Sequence, residues 1–120
     1  MENKSRILIV EDETSLRNAL CDKLTYEGFV VLEAKNGEEG LAVALHEHPD
    51  LILLDIVMPV MDGMTMLSKI RIDAWGKDAK VIVLTNLSDI AIKHSSYDYL
   101  VKSDWKIEDV VARVRERLGE

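Results

Sequence analysis

The sequence has very little cysteine, no long apolar run and no excess of positive charge. A single cysteine, Cys21, rules out a disulfide framework and a cysteine-based metal site. No apolar run approaches the roughly 20 residues of a membrane-spanning helix, and the first four residues do not have the shape of a signal peptide. With 15 Lys and Arg against 22 Asp and Glu, the formal net charge is −7. This charge argues against non-specific binding to nucleic acid or anionic membranes, and we expect a cytoplasmic protein.

The chain has the length and composition of one ordinary globular domain. Its 120 residues are 48% hydrophobic, which is enough for a substantial core. We find no repeat, low-complexity stretch or linker, and therefore predict a single domain over residues 1–120.

Short apolar runs alternate with stretches of helical periodicity. The runs predict strands at 6–10, 29–34, 51–55, 80–85 and 97–102. Apolar residues spaced i, i+3, i+4 predict helices at 14–26, 41–48, 66–74 and 107–118. Segment 86–96, between the last two strands, is ambiguous.

This alternation predicts an α/β fold with a parallel sheet covered by helices on both faces. Right-handed crossovers leave few topologies, and we choose the flavodoxin-like, doubly wound, five-stranded sheet of order 2-1-3-4-5. In that order the first and third strands are neighbours at the topological switch point, where such folds place their sites.

Polar residues end several strands at the carboxyl edge of this predicted sheet. The first strand leads to Glu11 and Asp12, the third ends at Asp55, and the fourth and fifth end at Thr85 and Lys102. Three neighbouring carboxylates repel one another, which favours a proton or a bound cation. Oxygen ligands without His or Cys favour a hard cation, Mg²⁺ above all. A hydroxyl and an ammonium would suit phosphoryl oxygens.

Each of these residues also has an ordinary structural interpretation. Asp55 could be a simple strand-ending residue before a turn, and the acids at 11–13 could be favourable charges near a helix start. Thr85 could be a β-branched strand residue and Lys102 a solvated charge. The functional interpretation is favoured because all of these residues lie at the ends of strands on the same edge of the sheet.

Four motifs lie at the ends of the predicted strands: Ile-Val-Glu-Asp-Glu at 9–13, Leu-Asp-Ile-Val-Met-Pro-Val-Met-Asp-Gly at 54–63, Val-Leu-Thr at 83–85 and Tyr-Leu-Val-Lys at 99–102. With these motifs the chain resembles the receiver domains of two-component response regulators over nearly its whole length. No single motif is specific, but the combination is. The resemblance implies phosphorylation by a sensor histidine kinase or a phosphotransfer protein, and a conformational signal to a downstream target or an output domain outside this chain.

The resemblance also implies residue roles. Asp55 would accept the phosphoryl group, and Asp12, Asp55 and the backbone carbonyl of Val57 would bind Mg²⁺. Glu11 would hold a metal-bound water, Thr85 and Lys102 would bind the phosphoryl group, and Thr85 and Tyr99 would move together as the switch.

Three departures from the family pattern lie near the last two strands. Ser103 follows Lys102 where the family usually has proline, and Asn86 follows Thr85 where a small apolar residue is usual. The span from Thr85 to Lys102 is also several residues shorter than usual. We therefore predict that the helix after the fourth strand is short, mobile or absent. The exposed surface there and on the final helix could then form a homodimer.

Three other functions are alternatives to this one. A phosphohydrolase with an aspartate nucleophile would need a second acid two residues after Asp55, where Val57 stands. A flavin-binding protein would need a Ser/Thr/Gly-rich phosphate loop after the first strand, where Glu11-Asp12-Glu13 stands instead. A pseudo-receiver that binds partners without phosphorylation is disfavoured by the complete acid, Thr and Lys set, although the altered segment 86–96 would suit it.

Overall fold

The computed structural model describes residues 4–85, 98–101 and 106–120, apart from the side chains at 85, 98 and 101. The strands are β1 (Arg6–Val10), β2 (Val30–Ala34), β3 (Leu51–Asp55), β4 (Val81–Thr85) and β5 (Asp98–Val101). The helices are α1 (Thr14–Tyr26), α2 (Gly37–Glu47), α3 (Gly63–Ile72) and α4 (Ile107–Leu118), with a 3-10 turn at Gly76–Asp78. Predictions for segment 86–96, Lys102 and Ser103 lie outside the described residues.

The five strands form one parallel sheet of order β2-β1-β3-β4-β5, which confirms the predicted topology. Val10 pairs with Leu54, one residue before the end of β3, and Asp55 pairs with Leu84. The carboxyl ends of β1, β3 and β4 therefore lie side by side.

Two apolar cores lie on opposite faces of the sheet, because successive strand residues point to opposite sides. The α2–α3 core contains Leu8, Val10, Ile52, Leu54, Met66, Ile70 and Val83 among others. The α1–α4 core contains Ile7, Ile9, Leu20, Leu24, Leu53, Ile82 and Val114 among others. All five residues of β3 are buried. This strand is thus the central one, covered on both faces as its continuous apolar sequence predicts.

The helix boundaries follow local capping chemistry. Asp62 accepts a hydrogen bond from the Thr65 amide at 2.8 Å and caps α3. Gly28, with φ of 100°, follows the end of α1, and its left-handed backbone is the conformation that glycine adopts without strain.

Three predicted helix boundaries were wrong by two to four residues. The helix predicted at 41–48 begins at Gly37, because the Asn36 side chain accepts from the Glu39 amide at 2.8 Å. The third helix covers 63–72 rather than 66–74. Asp73 Oδ1 accepts from the Trp75 amide at 2.9 Å, and this side chain-to-backbone bond favours a turn over another helical residue.

An arginine of the final helix is hydrogen-bonded to Glu27, the residue that follows α1. Arg115 Nη2 donates to the carbonyl oxygen of Glu27 at 3.0 Å and to Glu27 Oε1 at 3.1 Å. Its guanidinium carbon lies 4.9 Å from the centre of the Phe29 ring. The hydrogen bond from Arg115 lowers the pKa of the Glu27 carboxyl.

Candidate functional site

Three carboxylates meet at the carboxyl edge of the sheet. Glu11, Asp12 and Asp55 each place one carboxylate oxygen within 4.8 Å of the other two. Glu11 is 1% exposed and Asp55 is 5% exposed, while Asp12 is exposed to solvent. Two buried acids with one exposed acid beside them form a concentrated negative site that can be reached from outside.

Glu11 is fixed by contacts on both its backbone and its side chain. Its amide donates to the Ala34 carbonyl at 3.0 Å, and its Oε2 accepts from the Glu13 amide at 3.1 Å. Arg17 Nη1 donates to the Glu11 carbonyl oxygen at 2.8 Å, while Arg17 Nε lies 3.5 Å from Glu33 Oε1. The loop between β1 and α1 is therefore held from the β2 side and from α1.

Arg17 was not predicted as part of this arrangement. A cation early in a helix is disfavoured by the helix dipole, so an arginine in the first turn of α1 is the only sequence signal that could have pointed to it.

Asp55 is positioned by the rigid strand β3 and by the start of α3. The Gly63 amide donates to the Ile56 carbonyl at 2.8 Å. A Cβ at position 63 would collide with the backbone carbonyl oxygen of Asp55. Only glycine allows α3 to begin this close to the residue that carries the site.

The loop between β3 and α3 contains a left-handed, β-branched residue. Val60 has φ of 69°, and the Met61 amide donates across it to the Pro59 carbonyl at 2.7 Å. The Met61 carbonyl oxygen accepts from the Gly37 amide at 3.2 Å. This contact fastens the tip of the loop to the first residue of α2.

The donor set fits a hard divalent cation. The three carboxylates offer only oxygen ligands. Mg²⁺ is typically held in this way, by one or two carboxylates together with water and carbonyl oxygens. We conclude that the residues present fit Mg²⁺.

The remaining predicted site residues have different outcomes. Thr85 is the last residue of β4 and pairs with Val101, so its backbone lies at the same sheet edge as Asp55. Tyr99 is partly buried and packs against the α2–α3 core, and its carbonyl oxygen accepts from Arg113 Nη1 at 3.3 Å. Lys102 lies outside the described residues.

A doubly wound parallel sheet with an acid cluster between β1 and β3 defines a class of α/β proteins that carry a hard-cation site at the topological switch point. Within that class, the sequence profile described as "Response regulator receiver domain" matches residues 7–115. The chain belongs to this family.

Individual relatives agree with this assignment. The chain is 38% identical over 120 residues to the probable transcriptional regulator ycf27 of Guillardia theta, with 96% of this chain and 46% of that protein aligned. It therefore spans about half the length of the curated relatives it matches.

Solved structures of receivers have the same fold. The response regulator TrrA of Thermotoga maritima, solved in complex with Mg²⁺ and BeF, superposes with a TM-score of 0.81 at 34% identity and covers 94% of this chain and 98% of its own. The receiver domain of the sensor histidine kinase PA1611 of Pseudomonas aeruginosa has a magnesium ion in its active-site cleft. It superposes with a TM-score of 0.88 at 25% identity, over 98% of this chain and 100% of its own. In the described part of this chain, no helix has the length and apolarity that crossing a lipid bilayer requires.

Proposed function

We propose that Asp55 accepts a phosphoryl group from a sensor histidine kinase or a phosphotransfer protein, with Mg²⁺ as cofactor. The chain would then act as a phospho-accepting receiver in a two-component phosphorelay. The observation that carries this proposal is the meeting of three carboxylates, two of them buried, at the end of β3. The magnesium complexes of the related TrrA and PA1611 receivers support the choice of cation.

The metal ligands would be Asp12, Asp55 and the backbone carbonyl of Val57, with Glu11 acting through a water molecule. Bound Mg²⁺ supplies positive charge that neutralises phosphoryl oxygens. The chain's own part is to hold the acids in place. The Ala34 and Arg17 contacts fix the backbone of Glu11, and the Glu13 amide donates to its carboxylate.

Asp55 would be the nucleophile. One of its carboxylate oxygens attacks phosphorus, the bond between phosphorus and the donor histidine nitrogen breaks, and an acyl phosphate forms on Asp55. Lys102 and Thr85 would bind the phosphoryl oxygens, roles that rest on the family resemblance. The only reactions expected of the chain are its own phosphorylation and dephosphorylation, since Val57 occupies the place of a second acid.

The signal would be a shift in population between two packing arrangements of the domain. Thr85 turns toward the acyl phosphate, and Tyr99 packs further inward. The partly buried position of Tyr99 against the α2–α3 core supports this role, because the ring is already at the boundary of a packed region.

The location, partners and oligomeric state of the domain are also part of the proposal. Residues 1–120 form one receiver domain that signals in the cytoplasm to a downstream target or to an output domain of a longer protein. We expect no direct contact of this domain with nucleic acid, given its net charge of −7. A homodimer would form through segment 86–96 and α4.

The test is incubation with acetyl phosphate and Mg²⁺ followed by intact mass measurement. We expect the wild type and Asp22→Asn, a control at an exposed position of α1, to gain the mass of one phosphoryl group. Asp55→Asn, or the wild type in EDTA, should gain none. Equal phosphorylation of Asp55→Asn would overturn the assignment of the acceptor.

A further inference from the structure

A basic cleft lies at the amino edge of the sheet, opposite the carboxylate site. It is lined by Arg71, Lys77, Asp78, Ala79 and Arg117 and has a volume of about 390 Å³. Its residues come from the end of α3, the 3-10 turn before β4 and the last turn of α4. The carboxylate site lies at the other ends of β3 and β4, so the two sites share no residue.

Arg71 is held in a fixed orientation within this cleft. Its Nη1 donates to the carbonyl oxygens of Gly76 and Ala79, both at 2.8 Å. Burial lowers the pKa of its guanidinium, and the charge of Asp78 partly offsets this lowering. Its other nitrogens, Nε and Nη2, have no hydrogen-bond partner among the described residues. A preorganised, partly desolvated guanidinium with unused donors is suited to bind an oxyanion.

Two further cations line the cleft without ion pairs. The side chains of Lys77 and Arg117 are exposed and form no ion pair with any residue that the structure describes. Among the described residues that line the cleft, Asp78 is the only acid. Three cations and one acid give the cleft a positive charge, whereas the chain as a whole has a net charge of −7.

A second cavity adjoins the basic cleft. It has a volume of about 460 Å³, shares Asp78 and Ala79 with the cleft, and is also lined by His48 and Trp75. The rings of His48 and Trp75 are stacked with centroids 4.5 Å apart and planes 6° apart. An aromatic wall next to a basic cleft offers a surface on which a planar base can stack.

We propose that the basic cleft binds a pyrophosphate group. The group is free pyrophosphate or the diphosphate of a nucleotide whose base reaches the His48–Trp75 cavity. Arg71 supplies the fixed donors, and Lys77 and Arg117 supply the remaining charge. This binding site is independent of phosphorylation at Asp55.

The test is an NMR titration of the full chain carrying Asp55→Asn, in EDTA, with inorganic pyrophosphate. These conditions remove the metal and the proposed acceptor from the carboxylate site. We expect the largest backbone amide shifts at Gly76, Lys77 and Ala79. A titration without shifts at these amides would overturn the proposal.

Charge variants separate a specific cleft from general attraction. Lys77→Gln with Arg117→Gln should weaken pyrophosphate binding by about tenfold, because two charge-assisted contacts are lost. Asp78→Asn should tighten it by about threefold, because a repelling charge is removed. The matched control, Lys35→Gln with Lys69→Gln, removes two exposed charges outside the cleft lining and should change affinity less than about twofold. Equal weakening by the control pair would show non-specific attraction and refute the site.

The same titration with ADP distinguishes the two sources of the ligand. Tighter binding of ADP than of pyrophosphate, lost selectively in His48→Ala, would identify a nucleotide. Equal affinities, both lowered by the Lys77 and Arg117 changes, would identify free pyrophosphate.

Discussion

Replacing Val60 by glycine should stabilise the chain. Val60 lies in the loop after β3 with φ of 69°, and the residue is 73% exposed. A β-branched residue in the left-handed region crowds its own backbone. Glycine at the same position has no Cβ and adopts this conformation freely.

The expected magnitude follows from three opposing contributions. A residue held in the left-handed region costs about 1–3 kcal/mol, and a β-branched side chain belongs in the upper half of that range. Glycine loses about 0.5–1 kcal/mol through the greater freedom of its unfolded chain. Loss of the small buried part of the valine costs roughly 0.5 kcal/mol more. The net gain in the free energy of unfolding is about 1 kcal/mol, equivalent to roughly 3–5 °C in Tm.

Val57 provides a matched control three residues earlier in the same loop. This residue is 68% exposed, and its φ is not positive. Val57→Gly has the same cost from the greater freedom of its unfolded chain and loses similar contacts, but it relieves no strain. We therefore expect it to be destabilised by about 1 kcal/mol.

Urea unfolding followed by circular dichroism, in EDTA to exclude metal binding, measures both variants. The reasoning predicts opposite signs, with the two variants about 2 kcal/mol apart. If Val60→Gly destabilised the chain as much as Val57→Gly does, the left-handed turn would not be strained and the argument would fail.

Two further predictions concern fixed contacts. Gly63→Ala should destabilise the chain by about 1–3 kcal/mol and slow its phosphorylation, because the new methyl group displaces the backbone of Asp55; normal kinetics and normal stability together would contradict this. The lowered pKa of Glu27 means that its bond to Arg115 stabilises the fold above the carboxyl's ordinary pKa and is lost as pH falls through the folded-state pKa. The stability difference between the wild type and Glu27→Gln should therefore be largest near neutral pH and shrink in acid, and a difference that is constant with pH would exclude this role.

Sequence patterns were sufficient for the sheet because the strands are short, apolar and separated by clear helical periods. The carboxylate cluster also followed from the sequence, since parallel strands in a known order place their ends together. These inferences depend only on hydrophobic periodicity and on the order of the strands along the chain. The types of side chain at each position largely determine both.

Other features could not be predicted because they depend on the exact path of loops and on single hydrogen bonds, which hydrophobic periodicity does not register. The left-handed backbone at Val60 is fixed by the turn from Pro59 to Met61 and by the contact of Met61 with Gly37. The brace from Arg17 to the Glu11 carbonyl needs the exact path of a loop. The early end of α3 at Ile72 reflects competition by the Asp73 side chain, which periodicity does not register.

The division of the apolar interior by the sheet has a consequence for how this chain can change during evolution. Tyr99 and the loop residue Met58 belong to the α2–α3 core, whereas Leu20 and Val114 belong to the α1–α4 core. Substitutions that are well separated and share no packing partners usually have additive effects on stability. The two faces can therefore accumulate changes with little epistasis between them. A lineage can remodel the α1–α4 side while the packing that contains Tyr99 remains as it is.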